Sequence, residues 1–117
     1  MTDRSSHREA VELLQRLGLN EYGAKCFVAL SRLPHATAKE ISDVADVPRT
    51  RVYDAARTLA SKGLIETQHS SPKRYRGLPV EEAIDLLEAE YCARTERLRE
   101  TLQTIDRVDA EADPDPT

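Results

Sequence analysis

Six side chains within one short run, Arg49, Thr50, Arg51, Tyr53, Asp54 and Arg57, carry the most concentrated hydrogen-bonding chemistry of this sequence. A guanidinium offers two donors that match guanine O6 and N7. A carboxylate accepts from the cytosine amine, and a threonine contacts a thymine methyl group or a phosphate. Lys73 and Arg74 form a second cationic group, and Lys39 with Ser42 a third. Side chains of these kinds read base edges from a helix or grip phosphate from its flanks. Each group also has a plainer reading. Asp54 and Arg57 make an i,i+3 ion pair on a solvated helix face. Lys73-Arg74-Tyr75-Arg76 makes a charged hairpin edge that discourages aggregation. Lys39 and Ser42 are then simply exposed.

The elements around these residues decide between the readings. Pro48 through Gly63 reads as one helix, with Pro at its first turn and Gly just past its end. Val52, Ala55, Ala56 and Leu59 fall in one apolar stripe. Thr50, Asp54, Arg57 and Ser61 lie opposite, flanked by Arg51 and Tyr53. Upstream, Thr37-Ala38-Lys39-Glu40 is a capping box opening a short helix through Ile41 and Val44 to Ala45. Asp46-Val47-Pro48 leaves room only for a sharp turn, and two helices so joined make a helix-turn-helix. The first helix of such a pair crosses the DNA backbone and the second enters the major groove. Downstream, Leu64–His69 and Arg74–Arg76 flank the turn Ser70-Ser71-Pro72-Lys73, a β-hairpin pattern. A hairpin in this place is a wing, its tip directed at the backbone or minor groove. His35-Ala36 offers a short third strand.

Ser6-His7-Arg8-Glu9 is a second capping box, leading a helix with Val11, Leu14 and Leu17 on one face and Gly18 at its end. Asn20 caps the next helix, whose inward face is Ala24, Phe27, Val28 and Leu30, and Pro34 ends it. From Pro79 a last helix runs to about Asp109. Its residues Ile84, Leu87, Tyr91, Arg94, Leu98, Thr101, Ile105 and Val108 alternate steps of three and four, a heptad seam. Ile84, Leu87, Tyr91, Leu98, Ile105 and Val108 are predicted to meet the same residues of a second chain. Arg94 and Thr101 are polar interruptions that restrict register. The predicted fold is mainly α with a small β-hairpin. A winged helix-turn-helix over 6–78 is followed by a coiled-coil-like dimerisation helix over 79–109, with flexible tails at 1–5 and 110–117.

Composition narrows the function. The 117 residues carry a net charge of −4, but unevenly. Residues 48–76 hold seven Lys or Arg against two Asp or Glu, and residues 77–117 hold four against twelve. A basic island in an acidic chain locates an anionic partner. The acidic balance and the 13 Arg against 4 Lys suit a salt-rich, halophilic cytoplasm. No apolar run reaches the ~18 residues of a membrane span, and Met1–Ser6 lacks the apolar core of a signal peptide. Cys26 and Cys92 stand far apart and read as buried thiols. His7, His35 and His69 are scattered, and no metal, cofactor or catalytic motif is present.

Gly18-Leu19-Asn20-Glu21-Tyr22, Ala38-Lys39-Glu40-Ile41, Val47-Pro48-Arg49-Thr50-Arg51-Val52-Tyr53-Asp54, Lys62-Gly63-Leu64-Ile65 and Pro72-Lys73-Arg74-Tyr75-Arg76 together resemble the TrmB-type archaeal transcriptional regulators. The likeness covers roughly residues 10–90, and the sequence departs from it at Gly23, where the family usually has an acidic residue. It implies a winged helix, a dimer and binding to promoter DNA. Arg49, Thr50, Arg51, Tyr53 and Arg57 would face the duplex, with Lys73 and Arg74 in the wing. Longer members carry a sugar-sensing domain, for which 117 residues leave no room, so no small-molecule effector is expected within this chain. The rival to a homodimeric, sequence-specific regulator is a winged-helix module for protein–protein contact, the acidic last third being its surface. Non-specific DNA packaging fits poorly with the acidity and with Asp54 on the reading face.

Overall fold

A computed structural model describes residues 4–112, with side chains from Ser5 to Ile105. Its elements are α1 (Arg4–Arg16), α2 (Glu21–Arg32), α3 (Ala38–Ala45), α4 (Arg49–Ser61), β1 (Ile65–Gln68), β2 (Arg74–Gly77) and α5 (Val80–Ala112). The order and types match the sequence reading, a winged helix-turn-helix followed by one long helix. α2 is the hub. Asn20 caps it by accepting from Gly23 N–H at 2.7 Å, and it buries Gly23, Ala24 and the run Cys26–Leu30. An almost continuous apolar run suits a helix covered on several sides, and α2 touches α1, α3, α4 and β2. Burial pushes the Cys26 thiol up to about 11.

Local chemistry sets most boundaries. α3 opens on the expected capping box: Thr37 N–H donates to Glu40 Oε1 at 2.9 Å, and Glu40 N–H donates to Thr37 Oγ1 at 3.2 Å. Ile65 pairs with Gly77 and Gln68 with Arg74 across the antiparallel hairpin. Ala36 adds a single bridge to Tyr75, the short third strand expected at His35-Ala36. α1 begins at Arg4, so Ser6, expected as its cap, already lies inside the helix. Residues 1–3 and 113–117, most of the expected tails, lie outside the described residues, as does the side chain of Val108.

α5 departs most from expectation. Ala83 and Leu87 are buried within the chain, Leu87 at 2% exposure, so Leu87 fills this chain's own core rather than a free seam. Arg94 also turns inward, to the end of α1. Leu87 and Arg94 belong to one seven-residue series and Ile84, Tyr91, Leu98 and Ile105 to another, about 60° apart around the helix, and the docking of α5 turns the first toward the domain. Val80, Ile84, Tyr91, Leu98, Leu102 and Ile105 form the neighbouring stripe, and all of them are exposed. Leu102 thus stands where the sequence reading placed Thr101. Cys92, expected to be buried, is exposed on the same helix.

Candidate nucleic-acid interface

The turn between α3 and α4 is built by three residues. Asp46 takes a left-handed conformation (φ 58°) and donates its N–H to the Ser42 carbonyl, a strain that Asp tolerates better than most residues. Val47 is buried and anchors the turn. The Ser42 hydroxyl donates to the Val47 carbonyl at 2.6 Å. Ser42, a candidate backbone contact, is thus engaged in closing the turn. Pro48 then starts α4 with φ −56°, and the first helical amides of Arg51 and Val52 find its carbonyl at 2.8 and 3.1 Å.

α4 buries Val52, Ala55, Ala56 and Leu59 and leaves Arg49, Thr50, Arg51, Tyr53, Asp54 and Arg57 exposed. The split is the one read from periodicity. Arg57 Nη1 lies 3.4 Å from Asp54 Oδ1 in an exposed i,i+3 pair. The pair holds both groups on the outer face and leaves most of each hydrogen-bonding edge open. Arg51 sits 5.8 Å over the ring of Tyr22, at the start of α2. The contact restrains an otherwise floppy guanidinium. Tyr22 was missed as a site residue, because nothing local in the sequence pairs it with Arg51.

The wing stands beside this face. A cleft of about 460 Å³ between them is lined by Thr37, Lys39, Arg49, Tyr53, Pro72 and Lys73, among others. A second cleft brings Arg57 and Tyr53 together with Thr67, His69 and Lys73. His69 is therefore a further group on this surface, which its isolation in the sequence concealed. Lys73 is exposed at the hairpin tip. Arg74 is placed differently. It is half-buried, 3.4 Å from His35 Nδ1 and 3.9 Å from Glu40 Oε1, tying the wing to α3. Glu40 is held below the usual carboxylate range, first by the Thr37 amide and then by Arg74. Burial raises the Tyr75 hydroxyl, with Tyr53 adding to it. Lys39 is exposed and pairs with Asp43 at 3.5 Å.

Among the described residues, no helix is long and apolar enough to cross a membrane. None of the described His, Cys, Asp and Glu form a group that could hold a metal ion. The fold and the exposed face together define the winged helix-turn-helix class. The chain belongs to the TrmB family: the model of the sugar-specific transcriptional regulator TrmB matches residues 14–81. It is thus a member of a family of transcriptional regulators and not of enzymes. Two relatives come from Pyrococcus furiosus. The HTH-type sugar sensing transcriptional regulator TrmBL1 is 27% identical over 99 residues, covering 85% of this chain and 29% of the relative. The putative HTH-type transcriptional regulator TrmBL2 is 39% identical over 94 residues, 80% of this chain and 34% of the relative. A solved structure of TrmBL2, described as an archaeal chromatin protein with a novel mode of DNA binding, superposes with a TM-score of 0.72 at 31% identity. It covers 92% of this chain and 40% of that one. The chain spans about a third of the length of these curated relatives.

Proposed function

We propose that this protein is a sequence-specific double-stranded DNA-binding transcriptional regulator that acts as a homodimer in the cytoplasm. α4 enters the major groove and offers Arg49, Thr50, Arg51, Tyr53, Asp54 and Arg57 to base edges and nearby phosphates. Lys39 and Lys73 flank it on the backbone, with the wing tip reaching the backbone or minor groove. Ile84, Tyr91, Leu98, Leu102 and Ile105 meet their counterparts in a second chain, and Val108 continues that pattern in sequence. The observation that carries this reading is the outer face of α4. It is exposed, free of large aliphatic residues, and set beside a wing on a buried apolar base.

A salt-rich cytoplasm fits the excess of carboxylates. There the Debye length shrinks to about 3 Å at molar salt, so base contacts and dimer avidity outweigh phosphate attraction. The relative described as a chromatin protein favours a second reading, coating of DNA without regard to sequence. A mobility-shift assay with a duplex selected from random sequence, against scrambled competitor, tests both. Strong preference for the selected duplex is expected. Equal competition would establish the coating reading, and no shift with either duplex would favour a protein-contact module.

A further inference from the structure

The point where α5 leaves the domain is held by a small polar cluster that the DNA-reading surface does not use. Arg94 Nη2 donates to the Leu17 carbonyl at 3.0 Å. That carbonyl lies at the C-terminal end of α1, where carbonyls lack helical partners and the helix dipole is negative. Gly18 follows with φ +113°, and any side chain there would collide with the guanidinium. Glu90 Oε1 lies 3.5 Å from Arg94 Nη1 and 3.3 Å from Lys62 Nζ. Lys62 is the C-cap residue of α4. The Arg94 guanidinium also lies 5.8 Å from the ring of Tyr91 on the outer stripe. The ends of α1 and α4 thus converge on one turn of α5. From Tyr91 to Ile105 every described side chain is exposed, and among the described residues the hydrogen bonds of α5 beyond Arg94 stay within the helix.

We propose that Arg94, with Glu90, is a positioning residue that fixes the angle between the DNA-reading domain and its projecting helix, and so sets the half-site spacing the protein accepts. The proposal rests on the homodimer reading above. A planar guanidinium suits the role, because its donors address the Leu17 carbonyl and the Glu90 carboxylate from a fixed fork. Exposed ties of this kind contribute little to stability; what they restrict is direction. From Arg94 to Ala112 the helix rises about 27 Å, and a swing of about 10° moves its far end by about 5 Å. One base pair rises ~3.4 Å. With the two projecting helices paired, the same swing moves each domain about this joint instead, so loosening it blurs the separation of the two recognition helices.

The test uses the full chain and a duplex selected for tight binding, with single base pairs then inserted or deleted between its half-sites. Wild type should lose up to ~10²-fold in affinity when the spacing is wrong, since the second half-site no longer engages. Arg94→Ala and, independently, Glu90→Gln should remain dimeric by sedimentation and bind an isolated half-site as wild type does. Their spacing penalty should shrink by ~10-fold or more. An unchanged spacing profile in both variants, or a uniform loss at every spacing, would overturn the proposal while leaving the dimer reading intact. A monomeric wild type, or one indifferent to spacing, would overturn both.

Discussion

α4 and α5 are both amphipathic, yet the chain treats their apolar faces in opposite ways. The 13 residues of α4 bury their whole apolar stripe against this chain's own core, Leu59 completely. The 33 residues of α5 bury only Ala83 and Leu87 among those described, and leave Leu98 and Ile105 about half exposed at 54% and 48%. Hydrophobic periodicity identifies an apolar face in either case. It does not say what covers that face. For α4 the answer lies in α2, α3 and β1. For α5, beyond Glu90, the described residues leave the stripe exposed, and the homodimer proposed above would cover it with a second copy.

The largest effect that sharpens this contrast falls on α5. Leu98→Asp places a charge in the exposed stripe and should give monomers with unchanged helical content, seen by sedimentation and circular dichroism. Affinity for a two-half-site duplex should drop ~10²–10⁴-fold through lost avidity. A variant that stays dimeric would break the comparison by removing this stripe from the interface. Next comes stability. Leu59→Ala should cost about 2–5 kcal/mol in denaturant unfolding, because the cavity it leaves is walled by fixed neighbours. Leu98→Ala should change the unfolding of dilute, monomeric protein by less than about 0.5 kcal/mol. Equal losses would mean that α5 is covered by its own chain after all.

A smaller effect belongs to the outer face of α4. Arg51→Ala should cost about 1–3 kcal/mol on the selected duplex and relax preference at one base pair. Tyr22→Leu, which removes the ring under Arg51, should move in the same direction by less. Equal losses on selected and random duplexes would show that Arg51 grips phosphate only.

The helix-turn-helix was legible because each of its signals is local: the Thr37–Glu40 box, Pro48, Gly63 and a stripe of four apolar residues. The hairpin was legible from its change of period after Gly63. What escaped depends on contacts between distant segments. Arg74 sits between Glu40 and His35, Arg94 reaches Leu17, and Arg51 rests on Tyr22. Each pairing spans tens of residues and obeys no spacing rule. Leu87 departs from the expected seam for a different reason. Spacing of three and four is shared by two adjoining stripes of α5, and only the docked geometry separates Leu87 from Ile84. Cys92 reads as buried in the sequence because free cysteines usually sit in cores, and the projecting part of α5 has no core around it.

The smallest expected effect concerns the tie between α3 and the wing, a contact the chain supplies to itself, unlike the bare stripe of α5. Glu40 is exposed, and its carboxyl is held below its ordinary value by the Thr37 amide and by Arg74. A carboxylate whose pKa is depressed by folding binds its proton more readily in the unfolded chain. Its contribution to stability is therefore fully present above the ordinary carboxylate value and is lost as pH falls through the depressed folded value. Glu40→Gln keeps an acceptor for Thr37 N–H but removes the charge facing Arg74. At neutral pH its thermal midpoint should lie slightly below that of wild type, and the gap should close as the pH is lowered through the carboxylate range. A gap for Glu40→Gln that is constant with pH would assign the contact to capping geometry alone, and would leave His35, at 3.4 Å, as the group that orients Arg74 in the wing.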